Sequence, residues 1–217
     1  MKQVTRIALA AATVTAIVGC STLPSSAELD TLTTSIVKAS FRSQGVATVD
    51  RVLNIDETNR ACSEAEVAGK PLDEKVAKAI EAQNLKTIKW PGDGKFLGDW
   101  REGEKIAQSG RGLTWTDKAG SANGGNCYNC HQIDAKEISF GTLGPSLYQY
   151  GKLRGVTDPN SAAAKPIVEY TWGKIWNSKA YNACSNMPRA GHAGIIDEKQ
   201  VRHLVALLLV PNSPVNK

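Results

Sequence analysis

The five residues Cys127-Tyr128-Asn129-Cys130-His131 are the stretch of this 217-residue chain whose types and spacing point most directly to chemistry. Two thiols separated by two residues, with an imidazole directly after the second, fit covalent capture of a c-type haem. Each thiol adds across a vinyl group of the porphyrin, so two thioethers tie the macrocycle to one turn of backbone. His131 is then held under the iron and offers a first axial bond through a neutral imidazole nitrogen. Two other uses of the motif are weaker. A thioredoxin-like Cys-x-x-Cys opens a helix in a βαβ setting, and no strand-rich run precedes Cys127. A zinc site needs a second Cys-x-x-Cys or a His-x-His pair to complete four ligands, and the sequence has neither.

A haem that only transfers electrons needs a second axial ligand. Apart from the initiator, Met187 is the only methionine in the chain. A thioether is a soft ligand that suits haem iron and raises its reduction potential. Pro188 fixes its own backbone and restricts Met187, which would keep the sulfur on target. The other use of a lone methionine is core filling. His192 and His203 are the competing ligands. His192 sits in a Gly-rich loop and is expected at the surface or behind a ligand. His203 lies beside Arg202 in the last helix and is expected to be solvated.

The elements that must position these groups read as helices. Asp197 with Gln200 forms a capping-box pattern, and Val201, Leu204, Val205 and Leu208 recur at helical spacing until Pro211. Asp99 to Ala107 reads as a second helix, with Asp99 and Glu102 as another capping box, Trp100 and Ile106 inward, and Gly103 marking a close approach to another helix. These two helices are expected to cross and enclose the apolar edge of the haem. Between Ala107 and Cys127 lies a Gly/Ser/Thr/Asn-rich loop. Tyr148, Tyr150, Trp172 and Trp176 could line the pocket or simply fill the core. Upstream, one or two helices with a break near Gly45, and another over Asp73–Asn84, form an extension with no histidine.

The N-terminus reads as an export signal: Lys2 and Arg6, then an apolar Ile7–Val18 too short for a permanent span. Ile17-Val18-Gly19-Cys20 has the form of a lipobox with Cys20 to be acylated, and cleavage after Ala27 is the alternative. The expected organisation is a signal over 1–19 (or 1–27), a tether and helical extension over 20–95, and a haem domain over 96–217. Export to the periplasm suits haem attachment outside the cytoplasmic membrane. It also suits the cysteine count. Of five cysteines, Cys127, Cys130 and Cys20 are accounted for, leaving Cys62 and Cys184. In an oxidising compartment the economical outcome is a Cys62–Cys184 disulfide, with two free buried thiols as the alternative. The net charge of +5 is scattered among acids, which does not suggest nucleic acid.

Taken together, the Gly-Glu-Lys helix, Cys-x-x-Cys-His, Gly144-Pro145-Ser146-Leu147, Asn186-Met187-Pro188 and a C-terminal helix resemble a class I c-type cytochrome. The chain over about residues 50–217 more closely resembles the SoxX family, the small cytochrome subunit of SoxXA complexes in bacterial thiosulfate oxidation. The strings that carry this are Gly98-Asp99-Trp100, Gln108-Ser109-Gly110-Arg111-Gly112, Phe140-Gly141-Thr142-Leu143-Gly144-Pro145 and Ala183-Cys184-Ser185-Asn186-Met187-Pro188-Arg189. The resemblance implies an all-α class I cytochrome fold with a helical N-terminal extension and one covalent haem c, its iron held by His131 and Met187. It implies that the Pro145 carbonyl accepts a hydrogen bond from the proximal histidine. Long members of that family also carry the extra cysteine pair. The implied partners are a SoxA-type cytochrome subunit holding the catalytic haem, the SoxYZ carrier and a soluble cytochrome c acceptor; lipid anchoring at Cys20 is expected from the lipobox and not from the resemblance. No catalytic residue is expected on this chain itself.

Overall fold

The computed structural model describes residues 25–217. The signal segment 1–19 and Cys20 lie outside the described residues. Among those described, the chain is helical, and an isolated bridge between Gln44 and Ala47 is the only β pairing. The all-α expectation therefore holds. The chain divides into two compact units, one ending at Ser40 and one over Phe41–Lys217. The first contributes α1, Ser26–Ser40. Its start is set by a Ser-x-x-Glu pattern: Ser25 donates to the Glu28 carboxylate from N–H at 2.8 Å and from Oγ at 2.7 Å, so a donor at the helix end is satisfied locally.

The second unit carries α2 (Asp50–Leu53), α3 (Glu57–Val67), α4 (Glu74–Leu85), α5 (Trp100–Gln108), α6 (Tyr150–Leu153), α7 (Lys165–Trp176) and α8 (Glu198–Leu209). Residues 41–95 thus fold in the same body as the haem motif. The core is built on α8. Its capping box is complete, with Asp197 accepting from Gln200 N–H and Gln200 reaching back to Asp197 N–H. Val201, Val205 and Leu209 have no exposed surface, and each such side chain contributes about 1.5–3 kcal/mol of burial. Behind the helix, Asn216 is buried and donates to the Leu208 and Val210 carbonyls at 3.0 and 3.1 Å, while its Oδ1 accepts from Gly151 N–H at 2.8 Å. One side chain therefore satisfies both the end of α8 and the start of α6.

The α5–α8 crossing explains Gly103. A Cβ there would run into the His203 carbonyl and lie 3.0 Å from Leu207 Cβ. The crossing also corrects two expectations. His203 is not solvated: it is half-buried, and its Nδ1 accepts the Asp99 N–H at 2.8 Å. Because that N–H is taken, the Glu102 side chain has no reason to reach back. Asp99 still caps α5 by accepting from Arg101 N–H, while Glu102 pairs with Lys105. The capping box expected at α5 is therefore half formed, and a histidine from α8 completes it.

The loop into α5 docks on α8 as well. Arg202 donates to both carboxylate oxygens of Asp93, at 3.0 and 2.8 Å, and its carbonyl accepts from Gly98 N–H at 3.0 Å. The Arg202 guanidinium, helped by the Lys95 N–H, holds the Asp93 carboxyl down to about 2.

Two outcomes follow. Gly103→Ala gains helix propensity, but the obstacle is backbone. The net effect is a loss of about 2 kcal/mol in denaturant unfolding. Asp93 has a depressed folded-state pKa, so its contribution is full above the unfolded value near ~4 and is lost as pH falls toward 2. The thermal midpoint of Asp93→Asn should lie below that of the native protein at pH 5–7, and the gap should close near pH 2.

Candidate haem site

The haem motif is presented by a single turn. Asn126 takes a left-handed conformation, φ 50°, and starts the 3-10 turn Cys127–Asn129. The N–H groups of Cys130 and His131 both donate to the Cys127 carbonyl, at 3.1 and 2.9 Å. The Gly-rich loop that precedes it folds back on the end of α5. Gly125 donates to the Ile106 carbonyl at 2.8 Å and Asn126 to the Ser109 carbonyl at 3.0 Å. The motif is thus fixed to α5, and through it to α8.

Cys127 and Cys130 are both free thiols. Burial pushes the Cys127 thiol up to about 11, so it is protonated at neutral pH. A redox-active Cys-x-x-Cys needs the opposite, a lowered thiolate pKa. Among the described residues, no group of three or more His, Cys, Asp or Glu is placed to share an ion, so the zinc alternative lacks donors.

His131 is buried, and its Nδ1 lies 2.7 Å from the Pro145 carbonyl oxygen. A carbonyl only accepts, so Nδ1 carries the proton. That leaves the Nε2 lone pair free for a metal and fixes the ring orientation. The proline is held there by a zipper between two segments. Gly141 N–H donates to Tyr128 O at 2.9 Å, Gly144 N–H to Cys130 O at 2.8 Å and Leu147 N–H to Gln132 O at 2.7 Å. Ser146 Oγ adds a bond to Gln132 Oε1 at 2.9 Å. The approach is so close that a Cβ on Gly144 would strike the His131 ring, and one on Gly141 would strike the Asn129 carbonyl.

Met187 is half-buried and packs against the same core cluster as Cys127. Its carbonyl accepts from Ser178 Oγ at 2.5 Å and its N–H donates to Ser185 Oγ at 3.3 Å. Ser178 is fully buried at the end of α7. A cleft of about 230 Å³ is bounded by Gly124, Gly125 and Asn126 just before Cys127, and by Pro188 and Ala190 just after Met187. Beside the latter segment, Trp176 Nε1 is buried without a hydrogen-bond partner, and its ring is covered by Gly191. Two cysteines not joined to each other, an imidazole with Nε2 released, and a cleft between the Gly124–Asn126 and Pro188–Ala190 segments together fit a haem.

The rival nitrogens are placed elsewhere. His203 Nδ1 is an acceptor for Asp99 N–H, so Nε2 carries its proton. His192 is exposed at the surface, and partial desolvation of its ring, with the nearby Arg189 charge, lowers its pKa. Trp172, Trp176 and Tyr150 are core, whereas Tyr148 is only half-buried. Trp172 is fully buried, stacked on Trp176 with centroids 5.9 Å apart, and donates to Lys89 O at 3.0 Å. Tyr150 Oη bonds Thr171 Oγ1 at 3.0 Å, and Tyr148 Oη reaches Lys217 O at 3.1 Å. Cys62 and Cys184 form a disulfide with Cα atoms 5.4 Å apart.

The helical fold carries a haem-attachment motif, and residues 118–210 match the cytochrome c family, so the chain contains a cytochrome c domain. The chain is 36% identical over 164 residues to an uncharacterised lipoprotein of Aquifex aeolicus (strain VF5), covering 75% of this chain and 73% of that protein. It belongs to the family of that lipoprotein, with a cytochrome c domain that binds haem c covalently and serves haem-based electron transfer. The domain match begins after α5, yet α5 is inseparable from the core through α8.

Gly144→Ala should displace the His131 ring and reduce haem content per chain at least several-fold, read by pyridine haemochrome assay. Gly92→Ala, at a position without left-handed φ and with open space around it, should leave haem content near native.

Proposed function

We propose that this chain is the mono-haem electron-transfer subunit of a SoxXA-type complex in the periplasm. In this reading Cys127 and Cys130 attach the haem, and His131 and Met187 are its axial ligands. Pro145 holds the His131 proton, and Cys20 is the lipid attachment point. The observation that carries the reading is the pairing of a haem-competent His131 with a Met187 segment bonded through Cys62–Cys184 to the N-terminal extension. That cysteine pair is what the SoxX resemblance implies. The relative's description as a lipoprotein supports export and anchoring.

The bound haem supplies a one-electron iron couple. The chain's own residues do the rest. The Nδ1–H bond to Pro145 fixes the tautomer and orients Nε2. The Met187 thioether favours the reduced state and so raises the potential. His131 and Met187 would together hold the iron, which would leave bond-making to the partner. There a carrier cysteine thiolate and thiosulfate would join as a thiosulfonate, releasing two electrons. This chain would take those electrons singly and hand them to a cytochrome c acceptor.

Two measurements test this. Oxidised native protein should show the red-edge methionine-to-iron absorption band, and Met187→Ala should lose it. A native protein without the band contradicts Met187 as ligand. Thiosulfate conjugation to a carrier should require the SoxA-type subunit and be absent with this chain alone. Conjugation by this chain alone contradicts the subunit role, and purification as a lone monomer from thiosulfate-grown cells favours a free shuttle.

A further inference from the structure

The segment that bears Met187 is held from outside the cytochrome c domain, and by one helix. Helix α3 lies well before the matched residues 118–210. It supplies Cys62, bonded to Cys184 three residues before Met187. The residue capping its start, Asp56, is ion-paired with Arg189, two residues after Met187. One covalent and one ionic anchor therefore flank the methionine on either side. Arg189 is mostly covered, its side chain 15% exposed, so the pair is partly shielded from solvent.

Helix α3 is itself braced. Asn84 of α4 donates to Thr58 Oγ1 at 3.2 Å, and Asn177 donates to Asn84 Oδ1 at 2.9 Å and Thr87 Oγ1 at 2.8 Å. Asn177 precedes Ser178, whose hydroxyl holds the Met187 carbonyl. The clamp closes on both ends of the same loop.

We propose that α3 is a positioning clamp for the axial methionine, acting through Cys62–Cys184 and Asp56–Arg189. Ligand-bearing loops open locally at a cost set by their own anchors rather than by global stability. Without α3, the Met187 segment would rest on Ser178, Ser185 and the Lys179 bond to Ala183 O at 3.1 Å. With it, opening requires breaking contacts to a separate, braced helix. The extension is then a device for keeping the sixth position closed to outside ligands. This rests on the reading of Met187 as an iron ligand.

The test is imidazole binding to the oxidised, haem-loaded full chain, followed through the red-edge band. The apparent affinity for imidazole rises as the fraction of open loop rises. Cys62→Ser with Cys184→Ser should bind imidazole at least ~10-fold more tightly than native. Asp56→Asn keeps the α3 cap but loses the charge, and should shift in the same direction by a smaller factor. Asn216→Ala weakens the α8 end away from Met187 and should lower global stability with imidazole affinity unchanged. If the cysteine double variant does not accumulate, Asp56→Asn decides. Affinities equal to native in the clamp variants, with the native band present and lost in Met187→Ala, overturn the clamp alone. A native protein with no such band overturns the ligand reading and the clamp with it.

Discussion

The structure of the site depends on one hydrogen bond, from His131 Nδ1 to the Pro145 carbonyl. It sets which imidazole nitrogen is free and where that nitrogen can point. It exists because Gly144 lets the backbone come against the ring, and because the Tyr128–Gln132 and Gly141–Leu147 segments are zipped by three backbone bonds. The Cys127–Cys130 turn is part of the same zipper, so the thiols and the imidazole move as one body. That body is carried by α5, which reaches the core only because Gly103 admits the α8 backbone.

The Met187 side is built on different physics. Here the chain is irregular, and order comes from side chains: two serines bonding the methionine backbone, a buried asparagine pair, a disulfide and an ion pair. The proximal side is rigid through local backbone pairing. The Met187 segment combines short-range side-chain bonds with long-range partners, several of them contributed by residues 56–87. The extension thus has a physical task within the same compact unit, although it carries no chemistry of its own.

Much of the site was legible in the sequence because its signals are local. The five-residue motif, the lone Met187 next to a proline and the α8 periodicity each declare themselves within a few positions. The two leftover cysteines pair across 122 positions, and counting alone suggested them. What escaped was pairing with no local pattern. Nothing near His203 says that its ring takes the Asp99 N–H, so it read as solvated and Glu102 read as the cap partner. Nothing near Asp56 points to Arg189, nor near Asn84 to Asn177. Helix α7 passed unnoticed because Trp172, Ile175 and Trp176 are buried along with Val168 and Thr171, which leaves no clean polar face to mark the period.

The central claim is that one haem is bonded through Cys127 and Cys130 while Cys62 and Cys184 tie the Met187 segment to α3. The intact mass of the mature protein under denaturing, non-reducing conditions tests it most directly. The account predicts the polypeptide plus one haem that denaturation does not strip, less two hydrogens for one disulfide. A mass without haem, with Cys127 and Cys130 joined to each other instead, would contradict it.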